Sequence, residues 1–202
     1  MKQNIENLFD KVVTFAWDKK KTTFLESFRI NQLQSKRWLV HELVKHSGKT
    51  KFNKIAVLGS WNSILLYELM QMNFDIFHWD FFDIDDMCHA DRDEYFNFYK
   101  MIKNYNSFQG DAVSLFSNPN FDVNQYDLII NTSCEHMIDI PAVAGPLYAL
   151  TSSNNTKVSD HINCVEHHKD LAIKNGINSV IYEGSLTLGN FKRFCVIGYR
   201  NE

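Results

Sequence analysis

The 202-residue sequence has little of what marks several specialised classes of protein. It contains four cysteines with no CxxC pair, only three prolines and no excess of basic residues, since its formal net charge is −3. No apolar run approaches the roughly 18 residues that would suggest a membrane span. The chain opens with the polar segment MKQNIEN rather than an apolar signal segment. We therefore expect a soluble, reduced, cytoplasmic protein with no membrane association; a nucleic-acid partner would need a local basic patch.

The sequence does contain enough apolar material to fill one sizeable core. Apolar residues make up 45% of the chain and aromatic residues 14%, which favours a single domain at this length. Apolar positions recur at helical spacing over residues 5–16 and again from about residue 31 to residue 46, just before Gly48. We expect residues 1–48 to form a helical cap and residues 50–202 to form the core of one domain.

Beyond residue 50, short apolar runs alternate with helical patterns, which is typical of parallel strands joined by crossover helices. The last two runs are separated by only SLTLGNFK. Because a parallel crossover needs a dozen or more residues, we expect these two strands to be antiparallel neighbours. The predicted strands lie at 55–59, 74–84, 126–131, 146–153, 179–184 and 193–200.

Two positions indicate a nucleotide-like ligand. The segment KIAVLGSWNSILLYELM reads as strand, turn and helix, so Gly59 and Ser60 would present backbone amides and a positive helix end at the strand tip. A glycine there could equally serve the backbone of an ordinary turn. Asp83 follows Gly59 by 24 residues and ends the second strand, where its carboxylate can accept hydrogen bonds from a ribose diol.

A polar cluster follows the strand that ends at Asn131, in the segment NTSCEHMID. Glu135 and His136 stand side by side there. Such a pair could supply a general base, a pair of metal ligands or a hydrogen-bonded lid for the pocket.

A second polar cluster, residues 152–168, follows the fifth strand and contains His161 and Asn163, which we expect to contact a substrate if they face the same cleft. A polar surface loop is the alternative interpretation. Together with Cys134 and its neighbours this cluster could assemble a metal site. However, the spacing matches no standard zinc pattern, so we predict no metal.

The order of segments over residues 50–200 resembles the class I S-adenosylmethionine (SAM)-dependent methyltransferases, including the closing antiparallel strand pair. The segment CEHMID also resembles the EHxxD that follows the fourth strand in small-molecule methylases of this family. The resemblance implies an α/β, Rossmann-like, seven-stranded and mostly parallel sheet with helices on both faces, an N-terminal helical extension, and SAM as the cofactor. It assigns cofactor contacts to Gly59, Ser60, Trp61, Asp83, Ile84, Asp111, Ala112 and Asn131.

The sequence departs from the family pattern in the cofactor loop. Val57 replaces the usual acidic residue, and Trp61 and Ser63 replace the second and third glycines. A tryptophan there could occlude the methionine end of the cofactor, shift its position or stack on a ligand.

The resemblance predicts methyl transfer to a small-molecule or nucleotide-like acceptor. Catalysis would then require alignment of the acceptor and, where needed, removal of its proton. Glu135 or His136 would be the base, and Asn131 would position the acceptor. The alternatives are a non-catalytic nucleotide-binding module with an eroded glycine loop, and an enzyme that uses SAM for a reaction other than methyl transfer.

Overall fold

The computed structural model describes residues 2–101, 104–140 and 142–202, and these form an α/β fold around one seven-stranded sheet. The strand order is β3-β2-β1-β4-β5-β7-β6. Strand β7 runs antiparallel to both of its neighbours, whereas the other adjacent pairs are parallel. The strands are β1 (Lys51–Leu58), β2 (Asp75–Asp83), β3 (Tyr105–Gln109), β4 (Leu128–Asn131), β5 (Leu147–Ser153), β6 (Ser179–Leu188) and β7 (Phe191–Tyr199). The predicted fold class is confirmed, including the antiparallel pair at the end of the chain.

Helices connect the parallel strands and precede the first of them. They are α1 (Lys2–Asp18), α2 (Ile30–His46), α3 (Ile64–Gln71), α4 (Asp86–Phe98), α5 (Ala112–Phe116) and α6 (His168–Lys174). Three short 3₁₀ helices cover Thr22–Phe28, Val123–Gln125 and Cys134–His136. Both N-terminal helices are confirmed. Helix α2 ends where the sequence predicts, because Gly48 adopts the left-handed backbone (φ 65°) that commonly follows a helix C-cap.

The sequence patterns missed one strand and shortened two others, since β1 begins at Lys51 rather than at residue 55 and β6 extends beyond residue 184. Strand β3 lies at one edge of the sheet, and its sequence YNSFQ is mostly exposed, so it shows no apolar run. Strand β6, at the other edge, continues to Leu188 because its exposed and half-buried residues alternate through a stretch that reads as a connection. Edge strands carry a weaker apolar signal than central strands, and the sequence therefore describes the centre of this sheet better than its rims.

Successive side chains of each central strand point to opposite faces of the sheet, and each face carries its own apolar cluster. Ile55 and Val57 pack with α1, α2, α3 and α4 on one face, while Ala56 and Leu58 pack with α5 and α6 on the other. The N-terminal helices thus share the core of the sheet. No described helix is both long enough and apolar enough to cross a membrane.

The register of the parallel strands brings three loops together. Leu58, the last residue of β1, pairs with Phe82 near the end of β2 and with Asn131 at the end of β4. The loops after β1, β2 and β4 therefore emerge side by side. This edge of the sheet includes the point where the strand order reverses, and open α/β sheets bind their ligands there.

Candidate active site

A cleft of about 980 Å³ opens at this edge of the sheet. Its walls come from the loops after β1, β2, β3 and β4, from the segment 26–36, and from the 155–161 loop. Ten of the twelve residues predicted for the site line it: Gly59, Ser60, Trp61, Asp83, Ile84, Asp111, Ala112, Glu135, His136 and His161. Distant parts of the sequence thus form one continuous site.

The loop after β1 has the backbone of a glycine-rich turn, although only one of its three left-handed positions is a glycine. Gly59, Trp61 and Ser63 all have positive φ angles, of 57°, 46° and 52°. Trp61 and Ser63 are the positions at which the family pattern has glycine, and a left-handed backbone costs a residue with a Cβ about 1–2 kcal/mol. At Gly59 a Cβ would lie 2.6 Å from Met137 Cε, so this position requires glycine for space as well.

Asp83 fastens this loop to the end of β2. Its Oδ2 accepts a 2.6 Å hydrogen bond from the amide of Trp61, and its Oδ1 accepts a 3.0 Å bond from the amide of Asp85. The amide of Ser60 donates to the carbonyl of Phe82 at 2.9 Å. A carboxylate offers about four acceptor positions. Asp83 therefore retains acceptor capacity toward the cleft after it has fixed the loop.

Arg92 on α4 supports the loop from behind and is fully buried. Its guanidinium contacts His89 Nδ1 at 2.6 Å, donates to Ser107 Oγ at 2.5 Å, lies 3.5 Å from the carbonyl oxygen of Trp61, and stacks 4.1 Å over the Phe81 ring. No carboxylate within the described part of the chain lies in ion-pair range of it, and burial lowers the pKa of Arg92 to about 10. The sequence gives no sign of this buried cation.

The loop after β3 forms the far wall. Asp111 caps α5 by accepting hydrogen bonds from the Val113 amide (3.0 Å) and the Ser114 hydroxyl (2.7 Å), and the Ser114 bond is the main cause of the lowered pKa of Asp111. Ile84 and Ala112 add apolar surface to the cleft. Ile84 is 74% exposed.

Glu135 forms a buried ion pair with Arg193, the third residue of β7. Both side chains are almost inaccessible to solvent, and the same guanidinium also donates to the Thr132 carbonyl. The second carboxylate oxygen of Glu135, Oε2, has no hydrogen-bond partner among the described residues. The contact with Arg193 therefore occupies one carboxylate oxygen of Glu135 and leaves the other unpaired. The sequence does not single out Arg193, because a basic residue near the start of a strand gives no sign of its burial.

Two histidines face each other beside this pair. His136 Nδ1 lies 3.0 Å from Asp160 Oδ2, and His161 Nδ1 lies 2.7 Å from the carbonyl oxygen of Asn155. The two rings meet edge to face, with centroids 4.5 Å apart. A backbone carbonyl can only accept, so His161 Nδ1 must carry the hydrogen, and the Nε2 of the neutral ring keeps a free lone pair. The carboxylate of Asp160 imposes the same tautomer on His136.

Asn131 and Asn163, the other two predicted residues, do not line the cleft. Asn131 is buried; its Oδ1 accepts from the Ser133 amide at 2.9 Å and its Nδ2 lies 3.2 Å from Met137 Sδ. Asn163 donates to Asp139 Oδ1 at 2.7 Å and to the Met137 carbonyl at 3.0 Å. Both side chains hold the turn after β4 in shape. Polar residues at strand ends commonly serve such turns, and the sequence does not distinguish that use from ligand contact.

Helix α2 contributes one wall of the cleft and also packs on the sheet. Lys36 lines the cleft and donates to Gln32 Oε1 at 2.6 Å, whereas Trp38 donates to the Tyr182 hydroxyl of β6 at 3.2 Å. Burial, aided by the nearby charge of Arg193, lowers the pKa of Lys36 to about 7.

One group of potential metal ligands occurs within the described part of the chain: Glu135, His136 and His161, whose ligand atoms lie within 4.8 Å of one another. Cys134 is not part of it. Its thiol is buried and directed at the Asn131 carbonyl, and burial raises its pKa well above the ordinary range.

Sequence comparison finds no match for this chain among protein-family models or curated proteins. Structural comparison does. TrmK of M. capricolum, solved with S-adenosylhomocysteine (SAH), is similar with a TM-score of 0.51 and 13% identity, over 81% of this chain and 68% of that one. The YcgJ protein of Bacillus subtilis is similar with a TM-score of 0.59 and 10% identity, over 82% and 99% of the two chains.

A third neighbour is the geranyl diphosphate C-methyltransferase of Streptomyces coelicolor, solved with Mg²⁺, geranyl diphosphate and SAH. It has a TM-score of 0.59 and 10% identity, over 80% of this chain and 78% of that one. At identities of 10–13%, what these neighbours share with this chain is the architecture. Together with the strand order, these similarities show that the chain has the fold of the class I SAM-dependent methyltransferases.

Proposed function

We propose that the protein is a SAM-dependent methyltransferase whose cofactor lies across the loop after β1 and the end of β2. The observation that carries this proposal is the left-handed backbone at Gly59, Trp61 and Ser63, held in place by Asp83. The chain maintains the shape of a cofactor loop at two positions where its own residue types make that shape costly. A loop that had lost its ligand would have no reason to retain strain of this kind.

The residues around the loop fit the parts of this cofactor. The remaining acceptor capacity of Asp83 suits a ribose diol, and the apolar surfaces of Ile84 and Ala112 suit a flat adenine ring. Two of the structural neighbours were solved with SAH, the product form of the same cofactor. Trp61, 38% exposed and on the cleft wall, is placed to cover the ligand rather than to fill a core.

When bound, SAM supplies a methyl group already activated by its sulfonium. The protein then has to hold the acceptor in line and provide for its proton. Glu135 is poorly placed to take that proton because its side chain is buried and its Oε1 is bound by Arg193. His136 is better suited, since Asp160 fixes its tautomer and leaves Nε2 free beside the cleft.

We further propose that the segment 26–36 covers the acceptor. This segment comprises the end of the 3₁₀ helix Thr22–Phe28 and the first two turns of α2, and it lines the cleft through polar and charged residues, among them Asn31, Gln32 and Lys36. Polar walls on the acceptor side favour a polar acceptor, such as a hydroxylated or aminated small molecule or a nucleotide-like molecule. In this proposal residues 1–48 act as the cap of the single domain.

Product analysis tests the proposed reaction. The purified protein is incubated with SAM and pools of hydroxylated, aminated and nucleotide-like acceptors, and the cofactor products are identified by mass spectrometry. Acceptor-dependent SAH is the expected result. Methylthioadenosine instead would indicate transfer of the aminocarboxypropyl arm, and absence of turnover over a broad acceptor set by protein that binds SAM would favour a non-catalytic binding module.

A further inference from the structure

The acceptor end of the cleft contains more polar groups than a single general base requires. His136 with Asp160 would form a complete base and orienting acid by itself. His161 is nevertheless fixed in the same tautomer by the Asn155 carbonyl, and its ring lies against His136. Next to them Glu135 carries a buried carboxylate oxygen without a hydrogen-bond donor. A base does not account for the second imidazole or for this unpaired oxygen.

We propose that Glu135, His136 and His161 form a binding site for a divalent transition metal. Two imidazoles and one carboxylate are a ligand set typical of Zn²⁺, Fe²⁺ and related ions, whereas Mg²⁺ and Ca²⁺ prefer all-oxygen sites. Both histidines would bind through Nε2, because each Nδ1 is already hydrogen-bonded. Histidines that bind metals commonly donate their other ring N–H to a carboxylate or a backbone carbonyl, and these two show one of each.

The distances are close to those of a formed site. Two ligand atoms that each lie about 2.1 Å from one ion can be no more than about 4.2 Å apart. His136 Nε2 lies 4.0 Å from Oε1 of Glu135, the oxygen that Arg193 also binds, and Oε2 of the same carboxylate is unpaired. The ligand atoms of the three residues lie within 4.8 Å of one another, and a tetrahedral ion with ligands at about 2.1 Å would bring them to about 3.4 Å, a side-chain movement of about 1 Å. His136 is exposed and His161 only partly buried, so both have room for this movement.

The positive and negative side chains around the cluster are equal in number, so their charges do not exclude a cation. Arg193 and Lys36 oppose a metal ion, and Glu135 and Asp160 favour one. The Arg193 guanidinium donates a hydrogen bond to Oε1 of Glu135. Carboxylates that bind metals commonly accept a hydrogen bond of this kind from a second residue. A neutral imidazole that carries its hydrogen on Nδ1 offers the Nε2 lone pair to a metal ion and adds no charge.

Glu135, His136 and His161 all line the cleft, so a metal ion bound by them would have its remaining coordination positions open to the cleft. Catalytic metal sites keep such an open position for water or substrate. An oxygen of the acceptor can occupy it, and His136 then serves as a metal ligand instead of a base. This role for the metal rests on the proposed methyltransferase function, but metal binding itself does not.

Metal titration of the purified full chain tests the site without any turnover. Zn²⁺ is titrated by calorimetry and Co²⁺ by its visible absorption. His161→Ala and His136→Ala remove one ligand each, and His41→Ala, which removes an exposed histidine of α2, is the matched control. Cys164→Ser is included because this thiol lies 3.9 Å from His161 Nδ1 and could bind Zn²⁺ adventitiously.

We expect the wild type, His41→Ala and Cys164→Ser to bind one equivalent of each metal, and each ligand variant to bind at least about ten-fold more weakly while keeping its far-ultraviolet spectrum. Absence of stoichiometric binding by the wild type, equal binding by folded His161→Ala and His136→Ala, or loss of binding in Cys164→Ser would overturn the proposed ligand set. SAM binding measured on the same preparations separates the two proposals. SAM binding without metal binding refutes only the metal site, and metal binding without SAM binding refutes only the methyltransferase proposal.

Discussion

The amide of Trp61 donates a 2.6 Å hydrogen bond to Oδ2 of Asp83, so the residue proposed to bind the ribose also holds the cofactor loop. One carboxylate thereby connects the turn after β1 to the end of β2. A ligand that binds Asp83 would meet a loop already in its final shape, and this preorganisation lowers the entropic cost of binding.

Replacing Asp83 with alanine should weaken binding of SAM and SAH by about 1–3 kcal/mol, because both the ribose contact and the loop anchor are lost. Isothermal titration calorimetry measures the change. Asp86→Ala is the matched control, since Asp86 is an exposed acid three residues away that does not line the cleft. Equal affinities for the two variants would exclude Asp83 from the cofactor site.

The strain at Trp61 can be measured by comparing two variants at that position. Trp61→Ala and Trp61→Gly both remove the indole ring, but only glycine adopts a φ of 46° without steric cost. Since the flexibility of glycine in the unfolded chain offsets part of the gain, we expect the glycine variant to be the more stable of the two by about 1 kcal/mol. Urea unfolding of both proteins provides the comparison. If the two variants have equal free energies of unfolding, the backbone at this position is not strained. The loop conformation would then no longer support a retained cofactor site.

The buried pair of Glu135 and Arg193 should behave as one unit. Glu135→Leu alone leaves a buried guanidinium uncompensated, and we expect it to lower the free energy of unfolding by about 3–5 kcal/mol. The double variant Glu135→Leu/Arg193→Met should cost less than the sum of the two single variants, because no lone charge remains. Additive effects in this double-mutant cycle, measured by denaturant unfolding, would mean that the two charges do not interact.

Lys36 should make stability depend on pH in a defined direction. Its pKa is about 7 in the folded protein and 10.5 in the unfolded chain. Between these values the unfolded chain binds more protons than the folded one, so the contribution of Lys36 to stability rises with pH, by at most about 1.4 kcal/mol per unit. Below pH 7 both states are protonated, and the cost of burying the charge is fully present.

Replacing Lys36 with methionine should therefore stabilise the protein most near pH 6.5, and this advantage over the wild type should shrink as the pH approaches 10. Urea unfolding of both proteins at pH 6.5, 8 and 9.5 gives the difference, in which the titration of other groups largely cancels. A difference that is constant across this range would mean that Lys36 keeps an ordinary pKa in the folded state.

The central strands and the residues that follow them could be predicted from the sequence because burial on both faces makes β4 and the second half of β1 apolar runs and makes β2 rich in aromatic residues. Strand β3 could not, since its exposed edge position leaves YNSFQ without an apolar pattern. Arg92 and Arg193 were missed for another reason. Apart from His89, which is close to Arg92 in the chain, their partners are 15 to 61 residues away in sequence, so only the folded chain reveals that these charges are buried.

The candidate site shows the same limit. Glu135 and His136 attract attention as a pair, but their roles depend on Arg193 and Asp160, which lie far from them in sequence. The interpretation of Trp61 and Ser63 changes as well. In the sequence they indicate an eroded glycine loop, whereas their φ angles show that the backbone of such a loop is intact.

Calorimetric titration of SAM and SAH into the purified wild-type protein is the decisive measurement for the proposed cofactor site. We expect both ligands to bind with dissociation constants in the micromolar range, at one site per chain. If well-folded protein binds neither ligand, the loop after β1 is not a SAM site, and the methyltransferase proposal is contradicted.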